Sequence, residues 1–308
     1  MQAQLLDTTA EERELARRAW SHLEVVHAVG IFGPDVMEAH GEGGIEDPIS
    51  GYVAARVAPV GAVGPEVAAA LFHSFAPAAM RRALPATWEL MSPAQLIEVT
   101  RRAAGDVLGR LGEGLEDEVA RAAELAREAS LFHPVEGRAL AAGRSALSWP
   151  GEEHQLLWEA ATRIRESRGD GHVACLVAAG LDGVEAHLTV AGDTDEARAF
   201  LKGLQGWSDP EWEAAVDRLR TRGLLDGDGA LTEAGRQLRD GLEAHTDALA
   251  APPWRRLGPE STEQLIEALQ PIVYRILDAE ILPMPIFAGK TIDPRGPGSP
   301  EAHGTPDP

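Results

Sequence analysis

A mostly α-helical fold, with a helix, helix, hairpin, helix order in its last third, is what the sequence predicts. Three observations carry this. Apolar residues recur at a helical period in segment after segment, Ser, Thr and Asp stand at the expected helix starts with proline in several first turns, and strand-like alternation is confined to one short run near residues 223–232. Hydrophobic residues make up 44% of the 308-residue chain and charged residues 25%, which is the composition of a folded globular protein.

Taken in order, Thr9 caps a first helix over 9–29, in which Leu15, Ala19, His22, Val26 and Val29 repeat at a helical period, and Gly30 is expected to end it. Gly41-Glu42-Gly43-Gly44 reads as a loop, followed by helices over 52–57 and 65–75. Ser92-Pro93 starts a helix over 94–111, and a further one over 115–130 alternates acids and bases as a solvated face does. Residues 132–150, with Gly137, Gly143 and Pro150, read as a connector. A helix then runs from 152 to 168, Gly169-Asp170-Gly171 is expected to break it, and another covers 172–179. A shift of 106 residues sets Tyr52-Val53-Ala54-Ala55 against Trp158-Glu159-Ala160-Ala161. That echo admits a divergent tandem duplication, or a chance match between alanine-rich helices.

In the last third, residues 195–203 form a short helix, Ser208-Asp209-Pro210 caps a second through Arg222, residues 223–232 form a tight hairpin, and Thr232 and Ser261 cap two more helices. This is the order of a winged helix-turn-helix. The run from Trp212 through Leu225, continued by Gly229-Ala230-Leu231-Thr232-Glu233-Ala234-Gly235-Arg236, resembles MarR-type regulators, in which it marks recognition helix, wing and next helix. Tyr52 to Gly61 and Arg168 to Ala174 extend the likeness to a family of MarR-like helix-turn-helix proteins from high-GC bacteria. The resemblance implies a homodimer formed through terminal helices; a true duplication would make one chain its own pseudo-dimer. The expected organisation is a helical N-terminal domain over 1–131, a connector over 132–151, a MarR-like winged-helix domain over 152–283 and a disordered tail over 284–308.

Twenty-eight basic against 49 acidic side chains give a formal net charge of -21, which repels nucleic-acid backbones and anionic membranes. Residues 196–256 carry nine Lys or Arg and eleven Asp or Glu, a net of -2. The expected recognition helix opens with Asp209, Glu211 and Glu213, and the expected wing holds Asp226 and Asp228 without a base. Arg218, Arg220 and Arg222 are the phosphate candidates, with Arg236, Arg239, Arg255 and Arg256 available only if the fold gathers them. The lone cysteine, Cys175, excludes an internal disulfide and reads as a small core residue. No basic stretch leads into an apolar one at the start, and no eighteen apolar residues run together, so a cytoplasmic location away from membranes is expected.

The densest polar constellation is Arg165, Arg168, Asp170 and His172, with Trp158 two helical turns before Arg165. Two guanidinium groups and an imidazole suit an anionic or planar small molecule, with Trp158 as stacking wall and Asp170 fixing the His172 tautomer or capping the helix that follows it. Structural ion pairing is the competing account of the same residues. Arg56 and His73 form a comparable neighbourhood in the first half, beside Tyr52, Phe72 and Phe75. No glycine fingerprint, P-loop, paired-cysteine zinc spacing or nucleophile elbow occurs, and the sequence names no cofactor; His172 and His73 are the candidates if a tetrapyrrole needs an axial ligand. The leading expectation is therefore a ligand-binding protein with weak or lost DNA contact. A ligand-responsive DNA-binding regulator is the alternative, and an enzyme acting on the bound molecule comes third.

Overall fold

Capping chemistry sets most of the helix starts. In the computed structural model, which describes residues 7–190 and 195–283, Thr9 and Glu12 close a reciprocal capping box on α1 (Ala10–Phe32). Proline stands in the first turn of α2 (Pro34–Glu42), α3 (Pro48–Val57), α4 (Pro65–Phe72) and α5 (Pro77–Ala83), where its missing N–H costs nothing. After α6 (Ala86–Leu90), the Ser92 box with Gln95 starts α7 (Pro93–Leu111), followed by α8 (Glu116–Ser130), α9 (Ala139–Ser145) and α10 (Glu153–Ala178). The last third comprises α11 (Gly183–Val190), α12 (Asp195–Gln205), α13 (Asp209–Thr221), α14 (Glu233–Leu249), α15 (Pro252–Leu257) and α16 (Pro259–Asp278). Ser208 and Glu211 box the start of α13, and Thr232 caps α14. The only strand-like pairing among the described residues is a single antiparallel bridge between Leu225 and Leu231, in the turn joining α13 to α14. The tail expected over 284–308 lies outside the described residues.

Three apolar clusters organise these helices. The largest joins α1, α7, α8, α10 and α16 through residues such as Leu23, Val26, Leu108, Leu125, Leu157, Leu269 and Ile272. It draws on both sides of the segment expected to be a connector, and that segment itself contains α9. The terminal helices α1 and α16, which the resemblance assigns to dimerisation, bury their apolar residues inside this cluster. A second cluster gathers α3, α4 and α5 with Leu96 and Leu140. The third joins the end of α10 to α11, α13, the bridged turn and α14 through Leu176, Val184, Leu219, Leu225 and Leu242.

Two glycine expectations need correction. Gly30 does not end α1, which continues to Phe32. A β-carbon there would overlap the Trp158 indole, so Gly30 is small because a large side chain lies across it. Nor does Gly169-Asp170-Gly171 break α10, which runs uninterrupted through 26 residues. Two helical glycines cost about 1 kcal/mol each, and tertiary contacts outweigh that: a β-carbon on Gly171 would press to 3.1 Å from the Arg138 guanidinium, which donates to the Ser167 carbonyl at 2.5 Å. The echo between halves therefore pairs a real turn after α3 with an unbroken helix.

Gly30→Ala is expected to destabilise the protein by about 1–3 kcal/mol through overpacking, read as a lower urea midpoint. Gly41→Ala, where the added carbon meets open space in α2, should leave the midpoint unchanged or raise it slightly.

Candidate functional site

The faces of α1, α10 and α14 that turn away from the main cluster share a feature that amphipathic helices avoid unless the charges find partners. On α1, Arg17, Trp20, Glu24 and His27 follow one another at helical spacing, and all line a cleft of about 630 Å³. Arg165, Arg168 and His172 of α10 and Arg239, Glu243 and Asp247 of α14 line it as well. Tyr52 and Arg56 of α3, Phe72 of α4 and Phe75 after it close one end, while His187 of α11 and Leu201 and Leu204 of α12 close another. The cleft thus lies where the helical body meets the α11–α14 unit.

Its polar side is a shared ion network. Arg17 Nε donates to Asp247 at 2.8 Å, Arg168 Nη2 to Asp247 at 2.8 Å and to Glu243 at 3.2 Å, and Arg239 also donates to Glu243. Burial works against the Glu243 charge, but Arg239 and Arg168 outweigh it and hold this carboxyl at about 2. The Arg168 guanidinium stacks on the Trp20 ring, 3.8 Å from its centroid. Beside this network, Arg56 grips Glu166 with two bonds of 2.8 and 2.6 Å and reaches the Tyr52 hydroxyl at 2.8 Å. Burial opposes both charges of that pair, and mutual attraction still lifts Arg56 above and holds Glu166 well below their usual ranges. Arg165 joins by pairing with Glu166 and Glu24. The apolar end is aromatic: Tyr52 sits 5.5 Å from Phe32 and 5.4 Å from Phe75, and the Arg56 guanidinium lies 4.6 Å over Phe72.

Arg56, Arg165, Arg168, Asp170 and His172, five of the seven residues singled out for ligand binding, therefore line one cleft. The other two do not. Trp158 is wholly buried under Gly30 and donates its indole N–H to the His27 carbonyl at 3.2 Å. Trp158 belongs to the main apolar cluster, and the tryptophan that lines the cleft is Trp20, under the Arg168 guanidinium. His73 lies beyond the cleft wall, where its Nε2 meets the Leu181 carbonyl at 3.1 Å.

Asp170 and His172, two residues apart on one helix, do not share a face, and Asp170 caps no following helix because α10 runs unbroken through it. It reaches sideways to accept the Ala141 amide at 3.0 Å, capping α9, and burial raises its carboxyl to about 6 despite that bond. His172 instead meets the Thr246 hydroxyl at 2.9 Å. Sequence reasoning missed Trp20, Glu24, Glu243 and Asp247. The interruption of an apolar helix face by the polar side chains of Arg17, Glu24 and His27 was the available signal on α1.

The exposed side of α13 carries Asp209, Glu211, Glu213 and Asp217. The arginines of α13 and its C-cap stay exposed but are engaged by the chain: Arg218 donates to Glu185 at 2.9 Å and to Asp182 at 2.5 Å, Arg220 to the carbonyls of Asp226 and Gly227, and Arg222 to the Gly180 carbonyl and Glu185. The other candidate bases are held in different places, Arg236 by Glu233, Arg239 by Glu243, Arg255 by Glu12 and Arg256 over Phe132.

No curated protein and no solved structure matches this chain. A family described as a helix-turn-helix family matches residues 16–283, a span that takes in the helical body, the cleft and the α11–α14 unit. With a match over most of its length, and with α12, a turn and α13 in place, the chain belongs to that helix-turn-helix family.

Proposed function

We propose that this is a MarR-like winged helix-turn-helix protein that binds a small planar or anionic molecule in the cleft between its helical body and its α11–α14 unit, and that its direct contact with DNA is weak or lost. One observation carries the reading: polar residues from α1, α3, α10 and α14, remote in sequence, converge with an aromatic cluster on a cleft of about 630 Å³, the size of a small-molecule site. The bridged turn at Leu225 and Leu231, between α13 and α14, supports the winged reading. Weak DNA contact follows from the acidic outer face of α13 and the internal engagement of Arg218, Arg220 and Arg222. A phosphate would have to displace carboxylates and carbonyls that these side chains already hold. An anionic molecule in the cleft meets the same competition from Glu166, Glu243 and Asp247, whereas a planar one can meet the Tyr52, Phe72 and Phe75 rings with those pairs intact.

Native mass spectrometry and an absorbance spectrum of protein purified without added ligand test the first part. A bound mass or chromophore is expected, and Arg168→Ala and His172→Ala should each lose most of it. Bare protein under gentle ionisation would count against the reading. Membership of a helix-turn-helix family favours the second reading, a ligand-responsive DNA-binding regulator, and a salt-dependent shift of random duplex DNA would move that reading to the front. Conversion of a bound molecule on incubation would mark an enzyme.

A further inference from the structure

His73 closes a three-residue turn in which the Ser74 amide donates to the Phe72 carbonyl at 2.5 Å. Its backbone angles of φ 58° and ψ -51° are those of the strained γ-turn, a conformation that side chains other than glycine rarely adopt. A residue held this way costs on the order of 1–3 kcal/mol and persists only where its surroundings over-determine it. Here the surroundings are α11, α12 and the residues flanking them. His73 Nε2 donates to the Leu181 carbonyl at 3.1 Å. The Ser74 carbonyl accepts twice, from His187 Nε2 at 3.0 Å and from the Trp207 indole at 2.9 Å. The Ala76 amide donates to the Gln205 carbonyl at 2.9 Å. Two glycines permit this closeness: a β-carbon on Gly183 would overlap the His73 carbonyl, and one on Gly206, at φ 76°, would sit 2.9 Å from the Ala79 methyl.

The residues on either side of the strained position are Phe72 and Phe75, and both line the cleft. They stack on each other at 5.6 Å and on Tyr52. Four residues thus present the Phe72 and Phe75 rings to the cleft and the His73 imidazole and Ser74 carbonyl to the residues of and around α11 and α12. We propose that the turn Phe72–Phe75 is a mechanical relay by which occupancy of the cleft is carried to α11 and α12. Resting on the cleft being a ligand site, this assigns the route of regulation. A molecule that displaces the Phe72 or Phe75 ring must alter the His73 turn, and the turn cannot relax without changing its bonds to Leu181, His187 and Trp207. The packed interface on which the turn sits is bistable rather than continuously deformable, as switching requires.

Hydrogen exchange of the full-length protein tests the relay without any ligand. Phe72→Ala is expected to speed exchange of the α11 and α12 amides about tenfold relative to those of α8 and α16. Ile31→Ala, which removes an apolar group from a different wall of the same cleft, should leave α11 and α12 unchanged. Phe72→Leu serves if the alanine variant does not fold, with a smaller effect in the same segments. Unchanged α11 and α12 in the Phe72 variants, or an equal response to Ile31→Ala, would overturn the relay. Its loss in protein that still carries a bound ligand would refute the relay alone; its presence in protein that binds nothing would leave the link standing and remove the cleft reading.

Discussion

Glu159→Ala is expected to cost about 3–5 kcal/mol, enough to unfold a substantial fraction of the protein near its physiological temperature. Glu159 is fully buried in the second turn of α10, where its carboxylate receives Arg144 at 3.0 Å and Arg163 at 3.1 Å and lies 3.5 Å from Arg101. Both Arg144 and Arg163 are almost completely buried, stacked over Trp158 and Trp149 respectively. Removing the carboxylate leaves those guanidinium groups in a low-dielectric interior without their counter-charge, and truncating one partner of a buried network is far costlier than replacing the whole of it. Urea denaturation of the single variant beside Glu159→Met combined with Arg144→Met separates the two. The double variant should recover part of the loss. A single-variant cost below about 1 kcal/mol would mean that water reaches the guanidinium groups and that the network is not sealed.

Acid should weaken the fold well above the pH at which carboxylates titrate. Burial holds His27 neutral, with its pKa lowered to about 3, and lowers His40 to about 4; their rings meet the hydroxyls of Thr162 and Thr100. In the unfolded chain both titrate near 6.5. Between that value and their folded values the unfolded state binds more protons, so stability is full above about pH 6.5 and falls as pH drops. Asp170 acts in the opposite sense: with its carboxyl raised to about 6, the folded state takes up a proton first, which offsets part of the loss between pH 6 and 4. Glu243, held at about 2, adds a further loss below pH 4.5. The net decline from pH 7 to 4 should be on the order of 3–5 kcal/mol, measured as urea midpoints across that range. His27→Gln, which keeps a hydrogen-bonding group beside Thr162 without a titrating ring, should flatten the slope by roughly half. An unaltered slope would place the sensitivity elsewhere.

The starts of α1, α7, α13 and α14 were legible because capping is local chemistry: Thr9, Ser92, Ser208 and Thr232 lie within three residues of the amides they satisfy. The glycine misreadings have the opposite origin. Gly30 and Gly171 are small because Trp158 and Arg138, distant in sequence, lie against them, and no local rule separates such a glycine from one that ends a helix. The cleft was half legible for the same reason. Arg165, Arg168, Asp170 and His172 stand close together on α10, so their density showed. Their partners Glu24, Glu243 and Asp247 belong to helices far along the chain, and only the packing of α1 and α14 against α10 joins them. The sequence also marked α13 as acidic, but the turning of its arginines toward Glu185 and the carbonyls after α10 and α13 depends on where α11 docks.

The continuity of α10 limits how this molecule can move. Its first turns are embedded in the body through Leu157, Trp158 and Ile164 and its last in the other unit through Leu176, so one rod of about 39 Å serves both as pillar and as axle. A door cannot swing where its hinge has been replaced by a beam. The travel left to the α11–α14 unit is rotation about that beam and sliding of packed helices along it, the shear class of motion, in which displacements stay within an ångström or two. The relay proposed for the Phe72–Phe75 turn would therefore act as a change of tilt rather than an opening.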